Sequence, residues 1–173
     1  HDDLFAVAPE IVRQHPRVKF LFVGDGEWRG KFETQARDLS LEKHIIFAGL
    51  VRPDEVPRYV GIMDALVHLS LREGLPRALP QAMAGGKPIV AYDCDGAREV
   101  CFKDQTGFLL PPGDLRALKE TLSRLIENAP LRERLGQTGR EFVRENFTAE
   151  HMVNQLEALY LKLATDRPKR QDG

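Results

Sequence analysis

Five short apolar runs, rich in β-branched and aromatic residues, alternate along the chain with stretches of helical periodicity. No other feature limits the possible folds as strongly. Residues 18–23, 44–48, 65–70, 88–92 and 107–110 are predicted strands. Gly24, Asp25 and Gly26 close the first, Gly49 the second, and Pro111 with Pro112 the last. Each run is too brief for a helix and mostly apolar on both faces, as strands buried inside a parallel sheet are. Helices are predicted at 4–14, 28–39, 54–63, 78–84, 114–128, 130–145 and 148–164, with one or two helical turns at 96–101.

Helix starts carry the residues that physics asks for. Asp114 and Thr148 can each accept a hydrogen bond from free first-turn amides, and Pro130 stands where a missing N–H costs little. Leu115, Leu118, Leu122, Leu125 and Ile126 form one apolar stripe, and the run from Met152 to Leu163 forms another. The second reads as core or interdomain packing rather than a membrane anchor, because its opposite face is not markedly basic. Alternating strands and helices imply right-handed crossovers and a parallel sheet covered on both faces, an α/β Rossmann-like domain. The 173 residues fit one such domain over 1–164, followed by a polar tail, 165–173, expected to be disordered.

Charge and cysteine content exclude several classes. Twenty-five basic residues against 26 acidic ones leave a formal net charge of -1, so no global field favours nucleic acid or an anionic membrane. Cys94 and Cys101 are too few for a disulfide framework and lack a Cys-x-x-Cys pattern, so an intracellular setting and a packing role are expected. No apolar run approaches the roughly 20 residues of a spanning helix. The first residues do not read as a secretory signal, and the chain is expected to be part of something longer.

The most informative stretch is 71–100. Glu73 and Gly74 follow the third strand and precede a helix, on the rim where open parallel sheets bind ligands. Glycine lets backbone approach a ligand closely, and the unpaired amides of Gly74 and Leu75 could receive a diphosphate. Pro80 is tolerated only if the helix begins near Arg77 or Ala78. Taken alone, the stretch reads equally well as an ordinary strand-turn-helix corner with a solvated Glu.

The order of motifs decides between these. Glu73-Gly74-Leu75-Pro76, then Gln81-Ala82-Met83-Ala84-Gly85-Gly86-Lys87-Pro88-Ile89-Val90, then Asp95-Gly96-Ala97-Arg98-Glu99-Val100 follow in turn. Upstream stand Val23-Gly24-Asp25-Gly26, Phe47-Ala48-Gly49-Leu50-Val51 and Met63-Asp64-Ala65, and downstream Gly107-Phe108-Leu109-Leu110. Over residues 1–164 the chain resembles the C-terminal, donor-binding half of GT-B retaining glycosyltransferases of family 4, the group 1 glycosyl transferases. The resemblance implies transfer of a sugar, hexosyltransferase-type, from a nucleotide-diphosphate sugar to an acceptor, in carbohydrate or cell-envelope polysaccharide biosynthesis. It implies that Glu73 is the catalytic-site carboxylate contacting donor-sugar hydroxyls. Gly24, Gly26, Val51, Arg52, Gly74, Leu75, Arg77 and Gln81 would bind the rest of the donor. The family's second Glu falls on Gln81, which can still bond ribose hydroxyls but without charge assistance. Leu75-Pro76 replaces the family's Phe-Gly. Arg77 and Lys87 could assist the diphosphate, although solvation is the commoner role of such side chains.

The resemblance also implies what lies outside this chain. The family's first strand of this domain, an Arg and a Lys that grip the diphosphate, and the acceptor domain would all precede residue 1. The chain alone is therefore expected to bind nucleotide weakly and to transfer nothing. The partners implied are the nucleotide-sugar donor and that N-terminal acceptor domain, with no nucleic acid. The expected place is the cytoplasm, peripheral to the inner membrane face through the missing domain. A stand-alone nucleotide- or sugar-binding regulatory module without catalysis is the alternative.

Other motifs have plainer readings. Gly24, Gly26 and Gly30 form G-x-G-x-x-x-G, but the next strand ends Ala48-Gly49, without the acidic residue of a dinucleotide site. Asp93-Cys94-Asp95 imitates a metal-binding Asp-x-Asp, yet reads as a loop with a helix-capping Asp, and no metal or other cofactor is expected. The five histidines lack ligand spacing, and His68, among apolar neighbours, reads as a satisfied core histidine. Asn146-Phe147-Thr148 matches a glycosylation sequon without an expected route to that machinery.

Overall fold

A computed structural model describes residues 1–165. Its order is α1 (Asp2–Gln14), β1 (Phe20–Val23), α2 (Arg29–Asp38), β2 (Ile45–Gly49), α3 (Val56–Ile62), β3 (Leu66–His68) and α4 (Ala78–Ala84). There follow β4 (Ile89–Tyr92), a 3-10 turn (Asp95–Glu99), β5 (Gly107–Leu110), α5 (Leu115–Glu127), α6 (Ala129–Asn146) and α7 (Ala149–Thr165). Every predicted element is present, with β1, β3 and β4 shortened and β2 shifted by one residue to end at Gly49. Of the predicted tail, Thr165 closes α7, and the remainder lies outside the described residues.

All strand pairs are parallel, as buried apolar runs require. The hydrogen-bonded ladder comes in two pieces, a β1-β2 pair and a β3-β4-β5 sheet. β1 and β3 therefore each keep one unpaired edge. One apolar core nevertheless runs through both pieces, joining Phe20 and Ile45 to Val90, Tyr92 and Phe108. α1 lends it Phe5, Ala8 and Ile11, and α5 lends it Leu118, Leu122 and Leu125. Pro9 removes one helical hydrogen bond inside α1, and burial of the neighbouring face outweighs that loss. A second cluster packs α4 residues Leu79, Ala82 and Met83 between Ile89, Ala91 and Val143 of α6.

The caps follow the chemistry. Asp114 accepts from the Ala117 amide at 2.9 Å, and Thr148 Oγ1 accepts from the His151 amide at 3.0 Å. Asn128, not anticipated, caps α6 by accepting from the Leu131 amide at 2.9 Å, with Pro130 in the first turn. Of the two expectations for the stripe of α7, core or interdomain packing, the structure removes the first. None of its residues is buried, and Met152, Val153, Leu156, Leu159 and Tyr160 lie open. Its stripe is not part of the core, because no other described element covers it.

Candidate functional site

Parallel pairing puts the carboxyl ends of β1 and β2 on one edge of their pair, and those of β3 and β4 on one edge of theirs. The predicted site residues divide between these two edges. Gly24, at φ +129°, donates its amide to the Gly49 carbonyl at 2.9 Å, so the turns after β1 and β2 are tied together. Gly26 donates to Asp25 Oδ1 at 2.8 Å. Val51 and Arg52 follow β2, and the Arg52 guanidinium is already engaged by both oxygens of Asp54, at 3.0 and 2.8 Å. A cavity of about 520 Å³ opens here, lined by Phe22, Phe32, Phe47 and Trp28 together with Gly24 and Gly26. Phe22 stacks on Phe47, and Lys31 Nζ lies 5.0 Å from both the Trp28 and the Phe32 ring centres.

The second group gathers after β3. Glu73 and Gly74 are exposed, Leu75 is half-buried and Pro76 is buried. The loop is held by its neighbours as well as by its own side chains. The Glu73 amide donates to Asp95 Oδ2 at 3.0 Å, and the Gly96 amide donates to the Gly74 carbonyl at 2.8 Å. A Cβ on Gly96 would stand 1.9 Å from that carbonyl oxygen, so only glycine allows this approach. Among the described residues the Gly74 and Leu75 amides donate to no protein acceptor, as the sequence suggests. Arg77 and Gln81, four residues apart, share the exposed side of α4, whose opposite side buries Leu79, Ala82 and Met83. Lys87 is drawn away: its ammonium donates to the Gly61 carbonyl at 3.0 Å. No hydrogen bond joins the two groups among the described residues.

Three residues carry more than the sequence shows. His68 is not a core histidine. Its Nε2 lies 3.1 Å from Glu73 Oε1, at the exit of β3. Ser70 Oγ donates to the same oxygen at 2.8 Å. His68 and Ser70 are two apart in an extended segment and so face one side, which is the signal that could have found them. Cys94 Sγ donates to the Ser70 carbonyl at 2.8 Å. Burial, with nearby Asp95, Asp93 and Glu73, pushes this thiol above its usual range, so it keeps the proton it donates. Burial likewise pushes Cys101 up to about 12, consistent with packing alone.

Asp93 and Asp95 do not act as helix caps. Asp93 holds Arg98, and Asp95 holds the Glu73 amide from a left-handed backbone position, φ +41°. Among the described residues no three metal-ligating side chains cluster.

The model of the family described as glycosyl transferases group 1 matches residues 1–142. The chain belongs to this family. It is 32% identical over 173 residues to the phosphatidyl-myo-inositol mannosyltransferase of Mycobacterium leprae, covering 97% of this chain and 44% of that protein. It is 27% identical over 165 residues to the Vi polysaccharide biosynthesis protein VipC/TviE of Salmonella typhi, covering 94% and 28% respectively. Among solved structures, Anabaena HepE in complex with UDP superposes with a TM-score of 0.83 at 26% identity, over 94% of this chain and 44% of that one. This group 1 chain thus spans less than half of each of these proteins. Among its described residues no helix is long and apolar enough to cross a membrane.

Proposed function

We propose that this chain is the donor-binding domain of a glycosyltransferase that moves a sugar from a nucleotide-diphosphate sugar to an acceptor with retention of configuration. One observation carries the reading. Glu73 stands on an exposed loop, fixed through its backbone and one carboxylate oxygen, beside two successive amides without a protein partner. The barrier to transfer lies in breaking the bond between anomeric carbon and phosphate. Negative charge then grows on the departing diphosphate, and the Gly74 and Leu75 amides, which have no protein acceptor among the described residues, would stabilise it without reorganising. Glu73 would hold sugar hydroxyls in a reactive pose. Gln81 would bind the ribose, and the turns bearing Gly24, Gly26, Val51 and Arg52 would receive the base, using binding energy remote from the reacting bond. HepE, similar throughout this chain, is known in complex with UDP, which supports a nucleotide donor.

The reading extends to the rest of the protein. A strand inserted between β1 and β3 would complete one sheet, and an N-terminal acceptor domain would cover the open stripe of α7. The same reading places the enzyme in the cytoplasm, with membrane contact left to that domain.

The test is a calorimetric panel of uridine, guanosine and adenosine diphosphates and their sugar conjugates. Glu73→Ala is expected to weaken sugar conjugates more than bare nucleotides, whereas Gln81→Glu changes both. EDTA leaves binding unchanged. Equal, null effects of the two substitutions overturn the site.

A further inference from the structure

We infer that His68 is a positioning residue for Glu73: it ties up carboxylate oxygen Oε1 so that Oε2 alone faces a bound sugar. The inference rests on the donor-site reading above, and adds to it the device that gives the carboxylate one working orientation.

Both side-chain donors that reach Glu73 reach the same atom. His68 Nε2 stands 3.1 Å and Ser70 Oγ 2.8 Å from Oε1. Among the described residues Oε2 receives no hydrogen bond from the protein. Its acceptor capacity is therefore available to a ligand hydroxyl. A glutamate on an exposed loop would otherwise sample many rotamers, and ordering it on binding would cost affinity. Here the ordering is done beforehand. The Glu73 backbone is pinned by Asp95, the Ser70 backbone by Cys94, and the ring of His68 leaves the end of β3, a strand held by β4. The His68 side chain is 21% exposed and that of Glu73 39%, so the pair lies at the surface of the loop, where ion pairs add little to global stability. Its effect should accordingly appear in ligand recognition rather than in folding. Donation to Oε1 requires the proton on Nε2, so the ring is either the Nε2–H tautomer or the imidazolium.

The test uses this chain, UDP-glucose and UDP as calorimetric probes, and the variants His68→Ala, His68→Gln, Ser70→Ala and Glu73→Ala. His68→Ala is expected to weaken UDP-glucose about tenfold, roughly 1.4 kcal/mol, and to leave UDP within about twofold. His68→Gln returns an N–H near the position of Nε2 and should regain most of the loss. Ser70→Ala should lose in the same direction. In the Glu73→Ala background, His68→Ala should add nothing.

A selective loss in Glu73→Ala with no loss in His68→Ala overturns the inference and leaves the donor site standing. Equal loss of both probes in His68→Ala means a structural role and overturns it too. If wild type binds no UDP-glucose, or Glu73→Ala binds both probes as wild type does, the inference falls together with the reading beneath it. A measurement on the unmutated chain guards against a variant that fails to fold. Nitrogen-15 spectra of the His68 ring should show a protonated Nε2, and a ring protonated on Nδ1 alone overturns the inference.

Discussion

At Gly107 of β5 and Gly136 of α6 glycine stands where backbone meets backbone, whereas at Gly24, Gly26 and Gly30, after β1, it stands in open space. A Cβ on Gly107 would lie 2.0 Å from the Ile89 carbonyl oxygen of the next strand, and one on Gly136 would lie 2.0 Å from that of Gly86. Cβ atoms on Gly24, Gly26 and Gly30 would meet nothing within 4 Å. β4 is buried at all four positions, while β1 runs from a buried to an exposed end. The comparison teaches where each half can change. Gly24 is limited by backbone conformation, Gly107 and Gly136 by contact, and the Glu73 loop hangs on a contact of the second kind through Gly96.

The contrast breaks most visibly at Gly107. Gly107→Ala puts a methyl carbon into a carbonyl of the paired strand, and no rotamer relieves it. The expected cost is about 3 kcal/mol, seen as a lower denaturation midpoint. A loss under about 1 kcal/mol would mean that the β4-β5 ladder opens readily, and the contact-limited reading would fail. Gly24→Ala comes next. It has space, but at φ +129° a side chain is strained, so about 2 kcal/mol is expected from conformation alone. A neutral result would show that the turn after β1 relaxes freely.

Tyr92 sharpens the comparison from between the halves, because its hydroxyl donates to Asp3 Oδ2 of α1 at 2.6 Å. Tyr92→Phe should cost about 1 kcal/mol near neutral pH, measured by urea unfolding. Burial first, and Asp3 second, push the Tyr92 phenol up to about 12. An unfolded phenol titrates near 10. The folded state therefore keeps the proton longer. The contribution is complete below pH 10 and is lost as pH rises through 12. The gap between wild type and Tyr92→Phe should shrink over that window. A constant gap would show that the hydrogen bond does not link the halves in this way.

Much of this was legible from residue order. Apolar runs such as Ile89 to Tyr92 announce a strand buried on both faces, and Asp114 announces a helix start, because both signals are local. Glu73 and Gly74 were legible through their place after β3. His68 was misread because the two-residue spacing that aligns it with Ser70 says which side both face, and not that Glu73, beyond the bend at Leu71 and Arg72, brings its carboxylate to that side. Asp95 was misread because its partner, the Glu73 amide, is 22 residues away in sequence. The division of the ladder into two pieces was illegible too, since apolar runs specify strands but not which edges pair. The exposure of α7 is a further case: its stripe says that something should cover it, and not what.

The smallest expected effect has the opposite sign. Gly30 is the second residue of α2, exposed, with an ordinary helical backbone and empty space where a Cβ would go. Alanine there restricts the unfolded chain and suits the helix, with no contact to offset the gain. Gly30→Ala should stabilise by about 0.5 kcal/mol, read as a small rise in midpoint at unchanged slope. The sign matters more than the size, because Gly30→Ala and Gly107→Ala make the same chemical change. Only surroundings differ between them, so opposite signs isolate the contrast between open rim and closed ladder. A loss at Gly30 would mean that the turn after β1 is packed as tightly as the strands behind it, and the distinction between the two halves would have no physical basis.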